Sequence, residues 1–447
     1  MALNTASKLA EIETESARDI GAALQLCTEA WRETEMAFII NNLPEEIRQA
    51  KRELRTQLPN YKAVFEDLER DMRRRVDAII TAREAGDEVI PTIQYGDIGR
   101  DGVSPNVIER IKSHGACVIR NTFTRLQAES WDQEIAAYVA RNDLDAKLIN
   151  AAEDNYFGDL KSSKPQIYGI YWSTPQVMAR QSEEHTNVRK FMNSLWTAEA
   201  DGVQHFDIEE APIYADRIRR RPPASESLGL SPHCDGGSVE RWLESNFRKV
   251  YRHVFSGEWR RYDPFDGAYR PDVEEVKSPA VCSMFRTFQG WTALTRQGPG
   301  DGTLQMIPIA NAMAYVLLRA LQDDVPDDEL CGSMPGRALS VNPQYHSLLI
   351  EAVTSIPVME PGDTVFWHSD IIHSVEDEHR GTGYSNVMYI GSLPGCAKND
   401  AYLAQQAAAF NLGETPPDFA PDNFEVDFEG RATVQTLTPA GRVQLGL

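Results

Sequence analysis

Hydrophobic residues recur at every fourth position over Val64, Leu68, Met72, Val76 and Ile80, with mostly polar and charged residues between them. That spacing lays one apolar stripe along a helix. Upstream, Leu43-Pro-Glu-Glu46 marks a helix start, because proline suits the first turn and acidic groups suit the positive end of the helix dipole. Residues 1–90 are therefore expected to form a helical extension, serving as a cap or as a homo-oligomer contact. Within it, residues 1 to about 40 read as a variable extension and Arg73-Arg-Arg75 as a solvated helix face.

From Pro91 the pattern changes. Helical spacing over 106–113 is stopped by His114-Gly115, and Ala116-Cys-Val-Ile-Arg120 predicts a strand flanking a barrel. Helical spacing returns over 174–195, after the aromatic run Tyr168-Gly-Ile-Tyr-Trp172, which reads as core. Beyond Ala211 short apolar runs alternate with Gly and Pro turns, interrupted by helical matter between Val239 and Lys277. One run is Val281-Cys-Ser-Met-Phe-Arg-Thr-Phe-Gln-Gly-Trp-Thr-Ala-Leu294, read as a strand. Another is the turn Pro361-Gly-Asp363 feeding Thr364-Val-Phe-Trp-His368. Short strands without repeated βαβ alternation predict a mainly β core with α. The expected fold is a double-stranded β-helix, or cupin-like jelly roll, over about 211–392, within a domain spanning 91–447.

Composition narrows the function. Lysine plus arginine total 45 against 67 aspartates plus glutamates, a net charge of −22 that repels nucleic acid and anionic membrane surfaces and favours a small-molecule substrate. Six cysteines without a C-x-x-C pair imply reduced thiols in the cytoplasm. No apolar stretch reaches membrane-span length, and neither a secretory leader pattern nor a G-x-G-x-x-G or Walker sequence appears.

The chemistry gathers in two segments, Gly229-Leu-Ser-Pro-His233-Cys-Asp235-Gly-Gly237 and Phe366-Trp-His-Ser-Asp-Ile-Ile-His373-Ser. Residues two apart on a strand share a face, so His233 and Asp235 both project into one cavity while Cys234 points away. A second imidazole from a distant strand completes a facial set of two histidines and one carboxylate, which leaves positions open on Fe(II). His373 and His368 both qualify as that third ligand. The histidines at 185, 205, 253, 346 and 379 lack ligand spacing.

Several longer runs resemble the YbiU-like family: Arg217-Ile-Arg-Arg-Arg-Pro-Pro223, Phe285-Arg-Thr-Phe-Gln-Gly-Trp-Thr-Ala-Leu294, Pro308-Ile-Ala-Asn-Ala-Met-Ala-Tyr-Val-Leu-Leu318, Asp323-Asp-Val-Pro-Asp-Asp-Glu-Leu-Cys-Gly332 and Asn386-Val-Met-Tyr-Ile390. The resemblance covers about residues 45–447. It implies a branch of the Fe(II)/2-oxoglutarate oxygenases near the phytanoyl-CoA dioxygenases, with Fe(II), 2-oxoglutarate as cosubstrate and O2. It also implies His233, Asp235 and His373 as ligands, leaving His368 as a wall residue. Hydroxylation is the implied default, and fungal TqaL-type relatives point to an amino acid and to aziridine ring closure.

Relatives of this kind carry an arginine for 2-oxoglutarate on the last barrel strand, where this chain has Tyr384-Ser-Asn386. Arg286 is the preferred substitute, because an unpaired guanidinium in an apolar strand demands an anionic partner. Arg380 lies nearer in sequence, in what reads as a solvated turn. Arg219 belongs to the alternation Arg217, Arg219, Arg221, an alternative grip for 2-oxoglutarate or a substrate carboxylate whose plain explanation is surface ion pairs. Two other functions stay open: hydroxylation of a lipid or acyl group, and a non-catalytic metal-binding cupin-like protein.

Overall fold

The computed structural model describes residues 38–99, 102–150, 166–200, 202–225, 231–278 and 281–447. The expected variable extension, Cys27 and the Gly229-Leu230 start of the histidine motif lie outside the described residues. Ile40–Leu447 forms one compact unit.

Two helices, Leu43–Gln57 and Tyr61–Ala85, open that unit. The predicted stripe is real, and Leu68, Met72 and Val76 are 0% exposed in a cluster with Trp242, Tyr251, Tyr315 and Leu317. The stripe's partner is the chain's own helical layer, as suits the cap that was one of its two expected roles. The basic run lies outside: Arg73 pairs with Glu351, while Arg74 and Arg75 pair with Asp71.

The strands, in chain order, are β1 (Thr92–Gln94), β2 (Ala116–Arg120), β3 (Ile167–Tyr168), β4 (Glu199–Ala200), β5 (Val203–Gln204), β6 (Ile218–Arg221), β7 (His233–Cys234), β8 (Phe288–Ala293), β9 (Leu304–Met306), β10 (Leu339–Ser340), β11 (Thr354–Ser355), β12 (Thr364–His368), β13 (His373–Val375) and β14 (Ser385–Tyr389). The fold is mixed α/β. A seven-stranded sheet runs β1-β2-β12-β8-β14-β6-β3 and a five-stranded antiparallel sheet runs β10-β7-β13-β9-β11, with β4 and β5 paired apart. Among these strands only β1 and β2 pair in parallel, joined through the helix Pro105–His114. Alternate residues of both sheets meet in one core: Val118, Trp291, Val365 and Val387 from the larger, Leu304 and Met306 from the smaller.

Three expectations need correction. The larger sheet reaches outside 211–392, since β2 pairs with β12 and β3 pairs with β6. The helix over 174–195 is two helices, Thr174–Arg180 and Glu183–Ser194, because Ser182 breaks the run and accepts the His185 N–H as an N-cap. The strand over 281–294 begins only at Phe288, so Arg286 lies in its irregular approach. Other readings hold. The turn feeding β12 requires Gly362, at φ +96, where a Cβ would lie 2.3 Å from the Phe123 carbonyl oxygen. Helices Glu240–Leu243, Ser245–Val250 and Arg252–Phe255 fill the predicted insertion, and Tyr171 and Trp172 are buried in the core. No helix among the described residues is long and apolar enough to cross a membrane.

Candidate metal centre

Strands β7 and β13 are neighbours, and their register sets His373 directly opposite His233. The two imidazole centroids are 4.4 Å apart. Asp235 follows just beyond the end of β7, where Gly236 and Gly237 (φ +77 and +89) turn the chain away. Its carboxylate lies between the rings, with Oδ1 3.6 Å from His233 Nε2 and Oδ2 3.6 Å from His373 Nε2. The three ligand atoms fall within 4.8 Å of one another, a spacing one ion can span.

Both imidazoles are turned for ligation. His233 Nδ1 faces the Ser231 carbonyl at 2.6 Å and His373 Nδ1 faces the Ile371 carbonyl at 3.0 Å. A carbonyl only accepts, so Nδ1 carries the proton and Nε2 presents its lone pair to the common centre, the arrangement seen in metal-binding histidines. Burial, with the neighbouring His233, pushes the His373 pKa down to about 4, which keeps the ring neutral. Burial works against the Asp235 carboxylate, but the adjoining His373 and His233 imidazoles, the Arg286 guanidinium and a hydrogen bond from Gln289 hold its pKa below the usual value. Two imidazole nitrogens and one carboxylate match the facial set expected for a non-heme iron.

Side chains behind the ligands hold them in place. Gln289, on β8, donates from Nε2 to Asp235 Oδ2 at 2.9 Å. Arg241 is 1% exposed and donates to three successive carbonyls of the ligand loop, at Asp235 (3.2 Å), Gly236 (3.0 Å) and Gly237 (3.0 Å). Its remaining arm reaches Asp370 at 2.7 Å. Asp370 also takes an ion pair from Arg270 (2.8 Å) and hydroxyl bonds from Tyr251 (3.0 Å) and Tyr262 (3.1 Å). His368 belongs to this scaffold: Nδ1 accepts the Asp370 N–H, Nε2 bonds the Pro264 carbonyl, and the ring stacks on Trp196. Of the two candidate third ligands, the structure brings His373 to the centre and leaves His368 in the core.

The centre opens onto a cavity of about 310 Å³. Arg219 and Arg286, both singled out in the sequence, line it together with Arg217 and Arg337. Arg219 is 4% exposed, which replaces the surface-ion-pair reading, and its Nη2 bonds only the neutral Gln297 and Ser385. Its Nε has no acceptor. Among the described residues neither Arg219 nor Arg286 has a carboxylate in ion-pair range or, for Arg286, any hydrogen-bond acceptor. Arg221 is spent elsewhere, on the carbonyls of Gly302, Ser225, Glu376 and Asp377. Arg380 is exposed and does not line the cavity, because the turn holding it is fixed outward by its N–H to the Gly300 carbonyl (2.8 Å). Cys234 points away as expected, with Sγ 3.1 Å from the Ser369 carbonyl.

The profile of the Gig2-like family matches residues 41–447. The chain belongs to the Gig2-like family. This Gig2-like protein is 47% identical over 416 residues to the uncharacterised YbiU protein of Escherichia coli K12, covering 92% of this chain and 99% of that one. The resemblance to YbiU-like proteins read from the sequence therefore holds. Among solved structures, a Salmonella typhimurium LT2 protein provisionally named an oxidoreductase superposes with a TM-score of 0.88 at 43% identity, covering 92% of the Gig2-like chain and 99% of its own. The GlcNAc-inducible GIG2 protein of Candida albicans does so at 0.76 and 25% identity, covering 92% and 90%.

Sequence reasoning missed Gln289, Arg241 and Tyr389. Gln289 had a signal, a lone amide in an apolar strand. Tyr389 lines the cavity, and its hydroxyl has no partner among the described residues. Nothing local distinguishes it from a core tyrosine.

Proposed function

We propose that this Gig2-like protein is an Fe(II)- and 2-oxoglutarate-dependent oxygenase of double-stranded β-helix type that oxidises a small carboxylate-bearing molecule, such as an amino acid. The observation that carries the reading is the ligand set itself: His233 and His373 present Nε2 lone pairs and Asp235 a carboxylate to one point, on the wall of a cavity that also holds guanidinium groups without anionic partners. The name of the Salmonella relative agrees with this class.

Bound iron would supply oxygen activation, with one oxygen atom entering a substrate C–H bond and the other leaving in succinate as CO2 departs. The chain's residues do the remaining work. His233, Asp235 and His373 hold the ion on one side, Gln289 orients the carboxylate, and arginine forks fix anionic ends so that the reacting carbon faces the metal. Trp291 and Trp367 in the same wall exclude water. Four arginines around the cavity favour a small anion over an acyl chain. Hydroxylation is the default outcome, and ring closure requires a substrate amine within reach of the oxidised carbon. Free cysteines at 117, 234, 282, 331 and 396 suit a reducing cytoplasm.

Anaerobic titration of metal-free protein with Fe(II) and then 2-oxoglutarate tests the reading, with Asp235→Ala as the blank. The chelated keto acid should give a visible charge-transfer band in the wild type only. Iron binding without that band would leave a metal-binding scaffold as the better description.

A further inference from the structure

The arginines in the cavity are not equivalent. Arg286 shares a second, smaller cavity with Asp235 and Gln289, and the Tyr214 ring is 5.7 Å from its guanidinium. Arg219 sits elsewhere, on β6 opposite Val387 of β14, and does not line that smaller cavity. Val387 and Tyr389 share a strand face, so Arg219 and Tyr389 are diagonal neighbours across one pair of strands. Together with Ser385, which accepts from Arg219, they form a polar cradle of a guanidinium and a free hydroxyl in an otherwise closed sheet.

2-Oxoglutarate has two anionic ends separated by its carbon chain. When the keto-acid end is chelated beside Asp235, the far carboxylate must lie away from the metal. Arg219 with Tyr389 meets that requirement and Arg286 does not. The guanidinium of Arg219 also reaches Ser385, the place on the last strand where relatives carry their own arginine. Once this cradle is filled, Arg286 still faces the cavity next to the reacting centre with no hydrogen-bond acceptor. A half-buried cation of that kind is left underpaired unless an anion meets it.

We infer that the cavity binds two organic anions at once: Arg219 and Tyr389 hold the far carboxylate of 2-oxoglutarate, and Arg286 holds an anionic group of the substrate. This rests on the oxygenase reading above and adds the residue that selects the substrate. A carboxylate or a phosphate ester would serve the same fork.

The test uses anaerobic full-length protein saturated with Fe(II) and 2-oxoglutarate, titrated with propionate, n-propyl phosphate or neutral propionamide. The readout is the shift of the charge-transfer band. Either anion should bind about tenfold or more tighter than the amide, as expected for a hydrogen-bonded charge pair. Whichever anion binds tighter names the source. In Arg286→Gln the preference should vanish while 2-oxoglutarate still binds, and Arg219→Gln should weaken 2-oxoglutarate binding. Tyr389→Phe removes only a hydroxyl and should weaken it too, which covers the case in which Arg219→Gln does not fold. The inference fails if the wild type does not discriminate, if discrimination survives in Arg286→Gln, or if Arg286→Gln loses 2-oxoglutarate and Tyr389→Phe does not. A wild type that binds Fe(II) but gives no band sinks the oxygenase reading instead.

Discussion

Two clusters of charge, one buried and one half-buried, lie back to back in this protein, and they are built on opposite principles. Around Asp370 the charges are paired: Arg241, Arg270, Tyr251 and Tyr262 all converge on one carboxylate at 2.7–3.1 Å. Around Asp235 the groups are left open, with two imidazole lone pairs, Arg286 and the Tyr389 hydroxyl all facing a cavity. A closed network rigidifies, whereas an open one has affinity to spare for something outside the chain. Arg241 connects the two, since the arm that meets Asp370 belongs to the side chain that pins the Asp235 loop. The difference marks one cluster as scaffold and the other as the candidate site.

The sharpest way to break that comparison is to remove a ligand. Alanine at His233, Asp235 or His373 should abolish turnover and stoichiometric metal, read by elemental analysis, while the far-UV circular dichroism stays native. Any of the three variants that keeps both metal and activity removes its residue from the centre. On the scaffold side, Asp370→Asn leaves two buried guanidiniums underpaired and should cost about 3–5 kcal/mol in urea unfolding. A loss no larger than that of a surface substitution would mean the network is not closed.

Acid separates the clusters further. Burial pushes the pKa of His368 down to about 3 from 6.5, so below pH 6.5 the unfolded chain takes up a proton that the folded chain refuses. Stability of metal-free protein should therefore fall as pH drops from 6.5 towards 3, by about 1.4 kcal/mol per pH unit for this group alone. Denaturation midpoints of His368→Gln against wild type should show a shallower pH slope in the variant. A smaller effect is expected from Gln289→Leu, which removes the hydrogen bond to Asp235. Metal affinity should drop roughly 10–100-fold with little change in stability. Smallest of all, Arg380→Ala should leave 2-oxoglutarate binding unchanged and stability within about 0.5 kcal/mol, being a surface change away from the cavity.

Local pattern was a sound guide wherever the deciding interaction was local. The stripe from Val64 to Ile80, the helix stop at Gly115 and the strand ending at His368 all follow from neighbours within a few residues. It faltered where a single side chain overruled the trend. Ser182 split a helix by capping its second half, and the irregular approach to β8 left Arg286 outside any strand. The outward face expected of Arg219 also failed, because alternation says which residues share a face but not what that face meets.

By itself the sequence determined the ligand types, the shared projection of His233 and Asp235, and a helical stripe in need of a partner. Tertiary structure decided that His373 rather than His368 stands beside His233 and Asp235, that the stripe packs within its own chain, and that, among the described residues, Arg219 and Arg286 are left without carboxylates while Arg241 and Arg270 are not. The reason is physical. Whether a buried polar group is satisfied depends on what lies within hydrogen-bond reach in space, and here the answering atoms stand far away along the chain.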